Sequence, residues 1–154
     1  MGRMKLQSGR FCMMAAVALG MALAPALALA QQATRIGGLA VNLGIVPAEV
    51  ALRAEGHSEA HPPHPPGGSQ HLLITLDDEK SGKRIGDAEV VVEVTNPRGH
   101  VEKKPLLHTH GGGLPDYSEL FLFEWSGKYV IKVTITPQPG AKPLQTQFTV
   151  NHSV

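Results

Sequence analysis

The chain has 154 residues, the length of one domain, with 14 basic residues, 13 acidic residues and a net charge of +1. That balance, with no run of basic residues, leaves out the positive patch that nucleic acid or an anionic membrane surface requires. The single cysteine, Cys12, and all five methionines lie in the first 21 residues, so beyond them the chain has no disulfide, no thiolate chemistry and no soft sulfur ligand.

Residues 1–30 read as a secretory signal peptide. Arg3, Lys5 and Arg10 form a basic start, an apolar run extends from Phe11 to Ala30, and Ala28-Leu29-Ala30 offers small residues where a signal peptidase cuts. Twenty apolar residues are long enough to span a bilayer, but the small-residue end and Pro25 favour cleavage after Ala30 over an uncleaved anchor. The expected mature protein, residues 31–154, then works in the periplasm or outside the cell with no membrane insertion. Without the three leader cations it holds 11 basic against 13 acidic residues, a net charge of −2, and it keeps all eight histidines.

Past the leader the pattern has period two, the mark of strands with one face on a core. Leu39, Val41, Leu43 and Ile45 alternate with Ala40, Asn42 and Gly44; Leu72, Ile74 and Leu76 with His71, Leu73 and Thr75; and Ala88, Val90, Val92 and Val94 with Glu89, Val91, Glu93 and Thr95. The same holds for Tyr129, Ile131, Val133 and Ile135, and for Leu144, Thr146, Phe148 and Val150. A strand from Tyr117 to Trp125 and a short one from Pro105 to His110 bring the expected number to about seven. Between Pro47 and Glu55 a short helix is the single helical candidate. Asp77–Gly82 is a polar turn without the ligand count of a calcium loop. Asn96-Pro97-Arg98-Gly99 has the proline and glycine of a type I or II turn. Ser126-Gly127 is expected to close a hairpin between the Trp125 and Tyr129 strands, and Pro137–Gly140 turns into the last strand. The only tryptophan, Trp125, is expected in the core with Tyr117 and Tyr129. Seven or so strands with frequent turns predict an all-β, Ig-like β-sandwich of antiparallel strands as one domain over 31–154.

Residues 55–70, EGHSEAHPPHPPGGSQ, depart from this pattern, with four prolines and three glycines in sixteen residues and almost nothing apolar. Such a segment cannot offset its ordering entropy by burial, and is expected to be a mobile or polyproline-like loop between two strands.

The stretch His71–Val150 resembles the YtkA-like group of secreted bacterial Ig-like domains. The resemblance rests on the LLITLDD strand and turn, the DAEVVVEV strand, the WSGKYVIKVTI segment and the closing FTV strand. Residues 38–49 with the His/Pro loop also resemble periplasmic proteins that carry an LGV-PAE segment followed by histidines. The resemblance implies an exported Ig-like domain. Some members of the group keep methionines where copper can bind; the absence of methionine after residue 21 argues against a Cu(I) role here.

Histidines carry the chemistry. His57, His61, His64 and His71 stand at spacings of four, three and seven, with Glu55 and Glu59 nearby, and in polyproline geometry residues three apart share an edge. His108-Thr109-His110 places two imidazoles on one face of a strand, about 6.5 Å apart at the backbone. Gly111-Gly112-Gly113 follows, Asp116 and Glu119 are the nearest carboxylates downstream, and His100 precedes. Imidazole with carboxylate suits Cu(II) and Zn(II), and such affinity should fall as pH drops through about 6.5, where free imidazole takes up a proton. The leading expectation is thus a non-enzymatic Cu(II)- or Zn(II)-binding carrier, buffer or resistance factor with ligands drawn from these six histidines and no organic cofactor. The competing expectation is an Ig-like module that docks a periplasmic protein partner, with the His/Pro loop as spacer. No nucleophile elbow, phosphate loop, dinucleotide motif or CxxC supports an enzyme.

Overall fold

In a computed structural model, residues 30–54, 66–111 and 114–154 are described; side chains 30–31, 53–54 and 110–111 are not. The leader and residues 55–65 therefore lie outside the described residues. Nine strands and one short helix follow in order: β1 (Ala30–Ile36), β2 (Leu39–Pro47), α1 (Ala48–Ala54), β3 (Ser69–Asp78), β4 (Glu89–Thr95), β5 (Val101–Pro105), β6 (Leu107–Gly111), β7 (Leu114–Leu122), β8 (Gly127–Thr136) and β9 (Leu144–His152). They form a five-stranded sheet, β1-β2-β3-β7-β6, packed on a four-stranded sheet, β5-β4-β8-β9. Every pairing is antiparallel. The architecture is the all-β sandwich that the alternation predicts.

The alternating residues meet between the sheets. Val41, Leu43, Leu72, Ile74, Leu76, Tyr117, Phe121 and Phe123 face Val90, Val92, Tyr129, Ile131, Val133 and Ile135, all of them buried. Phe123 stacks on Tyr129 with ring centres 4.2 Å apart, and His152 meets both rings edge-on. Full burial of such side chains contributes about 1.5–3 kcal/mol each.

Two strands exceed the expected seven, and both are edges. β1 (AQQATRI) and β5 (VEKKP) carry polar or charged residues, as edge strands do to discourage pairing with other chains, so they lack the apolar alternation that marks the central strands. Trp125 also departs from expectation. It is half-buried outside the core, with the Arg98 guanidinium carbon 3.2 Å above its ring centre, because Phe123 takes the inward position at the end of that segment. The expected 126–127 hairpin is instead a crossover. β7 pairs with β3 and β6, and β8 joins the opposite sheet, between β4 and β9. The 96–99 turn, the 137–140 turn and the short helix occur where the sequence places them. Asn96 closes its turn by accepting bonds from the Arg98 and His100 N–H groups, 3.0 Å each.

The short β6 pairs with β7 only as far as Ser118. Past that point β5 side chains serve the exposed backbone of β7: Lys104 Nζ donates to the Leu120 carbonyl (2.5 Å), and Leu122 N–H donates to Glu102 (3.2 Å). The two side chains also pair with each other at 2.7 Å.

The acidic turn after β3 is closed by Asp78. The Asp78 carboxylate accepts bonds from Ser81 Oγ (2.6 Å) and Ser81 N–H (2.7 Å), and these bonds hold its pKa below the ordinary value of 3.8. On β4, the hydrogen bond from Lys103 likewise lowers Glu93 below 4.5. A carboxyl held low in the folded state stabilises above its unfolded pKa, and that contribution is lost as pH falls through the folded value. Stability should therefore begin to decline below about pH 4.5. Ser81→Ala should move the Asp78 titration, followed by side-chain NMR, upward toward 3.8; an unmoved titration would mean the turn does not hold the carboxylate.

Candidate functional site

The chemistry-bearing histidines of the described residues distribute over both faces of the five-stranded sheet. β6 is its outer edge strand, and the register sets His108 opposite Tyr117, Thr109 opposite Asp116 and His110 opposite Pro115. Tyr117 points into the core, so His108 lies on the core-side face of the edge, exposed at the rim, its ring centre 5.6 Å from that of Tyr117. His110 shares its strand face by register; its side chain lies outside the described residues.

A segment of the β3–β4 connection runs along this rim. Ile85 N–H donates to the Leu76 carbonyl (2.8 Å). Arg84 pairs with Asp77 at 2.6 Å and donates to the Pro115 carbonyl at 3.3 Å. The Tyr117 hydroxyl accepts from Ala88 N–H (2.9 Å) and donates to the Ile85 carbonyl (3.3 Å). Burial raises the Tyr117 pKa, with the nearby Asp87 charge adding to the rise, so the hydroxyl keeps its proton and its donor role. The segment passes so close to the His108 ring that a Cβ on Gly86 would stand 3.1 Å from His108 Nε2.

The opposite, outward face carries a second constellation, which the sequence reading missed. Thr109 Oγ1 donates to the Asp116 carboxylate and lies 3.2 Å from Ser118 Oγ. Asp116 and Ser118 are only 7% and 5% exposed although they alternate with the core residues Tyr117 and Phe121. Asn42 extends the polar row across the sheet, donating to Thr75 (3.2 Å) and Asp77 (3.3 Å). Beside this row is a cleft of about 210 Å³ lined by Ala48, Ala51 and Leu52 of α1, His71, Leu107, Thr109 and the 118–120 stretch of β7. The cue in the sequence was the placement of Asp116 and Ser118 out of phase with the apolar positions; Asp116 was read there only as a carboxylate near the histidines, and Ser118 was not singled out.

His71 thus belongs to a strand. It sits third in β3, opposite Val46 and Leu120, and shares the outward cleft with Leu107 and Thr109, the chain neighbours of His108. Alternation along β6 consequently puts His71 and His108 on opposite faces of the sheet. His57, His61 and His64 lie outside the described residues. His100 sits in the β4–β5 turn, bonded through its N–H to Asn96, at the far end of the β5–β6 run from His108. Glu119 Oε1 accepts from Leu120 N–H (2.8 Å). Among the described residues, no three His, Cys, Asp or Glu side chains converge on one point.

No family model matches this chain, and no curated protein matches it. Solved structures do. FetP of uropathogenic Escherichia coli strain F11 is 12% identical, covers 79% of this chain and 92% of its own, and aligns with a TM-score of 0.60. The copper-reconstituted P19 protein of Campylobacter jejuni is also 12% identical, with 79% and 93% covered and a TM-score of 0.60. A DUF4426 family protein of Pseudomonas aeruginosa is 16% identical, with 79% and 94% covered and a TM-score of 0.58. At these identities the likeness is one of fold: the sandwich of this chain is the sandwich of those proteins over nearly their whole length.

Proposed function

We propose that this protein binds a divalent metal ion through histidines, Cu(II) ahead of Zn(II), as an exported, non-enzymatic carrier or buffer in the periplasm. The observation that carries the reading is His108, exposed on the rim of an edge strand, with His110 two residues on at the same strand face. Two histidines two residues apart on one strand face have the spacing of a chelating pair. Neutral imidazole with oxygen donors, and no thiolate or thioether in residues 31–154, is the donor chemistry of Cu(II) and Zn(II) rather than Cu(I). The likeness in fold to P19 and to FetP, each described with copper bound, supports copper as the first metal to test. His57, His61, His64 and His71 form a second candidate group, separate from the first in that His71 opens onto the other face of the sheet. The YtkA-like resemblance fits the same exported domain. No helix among the described residues is long and apolar enough to cross a membrane.

A calorimetric titration of residues 31–154 with Cu(II), then Zn(II), at neutral pH in a competing buffer tests the proposal. The expected result is one sub-micromolar, stoichiometric Cu(II) site. Weak multi-site binding alone would refute it and turn attention to the second reading, a protein-docking module. That reading has one observation in its favour: Leu107 is 62% exposed at the mouth of the outward cleft.

A further inference from the structure

We propose that the stretch of β7 from Glu119 to Leu122 docks a peptide in extended conformation, one that carries a large aliphatic side chain with a lysine or arginine next to it. The proposal goes beyond the metal reading and does not depend on it. β3 pairs with this stretch on one side. On the other side the β6–β7 ladder stops at Leu107 and Ser118, and the chain just before Leu107 is tied into the opposite sheet by the bond from Leu106 N–H to the Val90 carbonyl, 2.8 Å. Side chains take the place of a strand there. Glu119 Oε1 accepts from Leu120 N–H (2.8 Å), Lys104 Nζ donates to the Leu120 carbonyl (2.5 Å), and Glu102 accepts from Leu122 N–H (3.2 Å). Backbone groups that recur at every second residue along one side of a strand are the ladder positions of an antiparallel neighbour. Their present partners are long charged side chains, and such bonds at a surface hold weakly. The Lys104 and Glu102 side chains are 35% and 29% exposed, and they pair with each other at 2.7 Å, so both can turn aside without losing a counter-charge.

The space beside the stretch sets the chemistry of the occupant. A strand in line with β6 would place one residue opposite Leu120, and alternation puts that side chain on the outward face, next to Leu107. The cleft of about 210 Å³ between α1 and Leu107 and Leu120 opens on the same face. It is smaller than the about 300–1,000 Å³ of small-molecule sites and fits one large aliphatic side chain, which would also cover Leu107, 62% exposed. The peptide carbonyl opposite Leu120 would take the Leu120 N–H from Glu119. Among the described residues no cation pairs with Glu119, so a lysine or arginine beside the aliphatic residue supplies the missing counter-charge. Main-chain bonds then give affinity, and the cleft and Glu119 give selectivity.

The probe is a fluorescein-labelled, end-blocked peptide, Thr-Thr-Leu-Lys-Thr-Thr, added to residues 31–154 without metal and followed by fluorescence anisotropy and amide NMR. Saturable binding is expected, with the Leu120 and Leu122 amide signals moving most. Methylating the peptide's leucine nitrogen removes the donor to the Leu120 carbonyl and should weaken binding about tenfold. Exchanging that leucine for serine should weaken it by a similar factor. Ala51→Leu fills the cleft and should do the same with the parent's far-UV CD and unfolding midpoint, while Glu119→Gln should abolish the preference for lysine over serine in the probe. Should Ala51→Leu not fold, the methylated peptide and the amide shifts decide the matter on the unaltered protein. Absence of saturable binding up to about 1 mM peptide, equal affinity for the methylated probe, or shifts centred elsewhere would overturn the proposal. Shifts of Leu120 and Leu122 that grow with protein concentration alone would also overturn it, and would assign the stretch to a second copy of this chain.

Discussion

Truncating Phe123 to alanine should lower the free energy of unfolding by about 3–5 kcal/mol, the range for a fully buried phenylalanine. Phe123 is inaccessible to solvent, stacks on Tyr129 at 4.2 Å and is met edge-on by His152 at 5.4 Å. It also heads the crossover from β7 to β8, where its N–H donates to the Gly68 carbonyl at 2.9 Å. Its ring therefore joins the two sheets at the point where the chain passes between them, and its ring neighbours Tyr129 and His152 leave little means of collapsing into the space it vacates. For a domain of this size the loss corresponds to a fall in Tm of about 10–20 °C. Denaturant titration checks it: a change below about 1.5 kcal/mol would mean that the site refills easily and that Phe123 is not the joint described.

Replacing His108 and His110 together with alanine should weaken Cu(II) binding by about a thousandfold, because removing even the partners of metal ligands costs 10–100-fold and here two ligands themselves are removed. The same change should leave stability within about 0.5 kcal/mol, since His108 is an exposed side chain at a rim. Loss of affinity with an unchanged unfolding midpoint is thus the signature of lost coordination. A tight site that survives in the double variant would move the assignment to the group formed by His57, His61, His64 and His71.

How much of this could be read from residue order follows from burial. The central strands were legible because each buries one face: Val90, Val92 and Val94 are buried while Glu89, Val91, Glu93 and Thr95 between and beside them are not. β1 and β5 were not, because edge strands are held by backbone bonds and carry polar side chains that resemble loops. Trp125 was misplaced because size and apolarity suggest a core residue, whereas Arg98 supplies an aromatic face with a partner at the surface. The Ser126-Gly127 hairpin was misread because a turn signal says where the chain bends and not which sheet the next strand joins. In the candidate site, the placement of His108 and His110 on one strand face was legible from their spacing. The passage of Gly86 beside His108, and the meeting of Thr109 with Asp116 and Ser118, come from tertiary register that no local pattern records.

The strand order also implies a sequence of events in time. Four hairpins, β1–β2, β4–β5, β6–β7 and β8–β9, each close within ten residues of chain. β3 belongs to none of them. Its inner neighbours are reached only across residues 47–70 on one side and from Ile74 to Tyr117 on the other. Loops of such length close late and slowly, which places the domain among folders on the millisecond-to-second scale. Doubling the length of the 55–65 segment would add only about 0.6 kcal/mol to closure. β3 then enters as the last wedge between two preformed hairpins, carrying His71 to its place with it. Substitutions at its core residues Leu72, Ile74 and Leu76 should accordingly appear as faster unfolding, with folding rates almost unchanged.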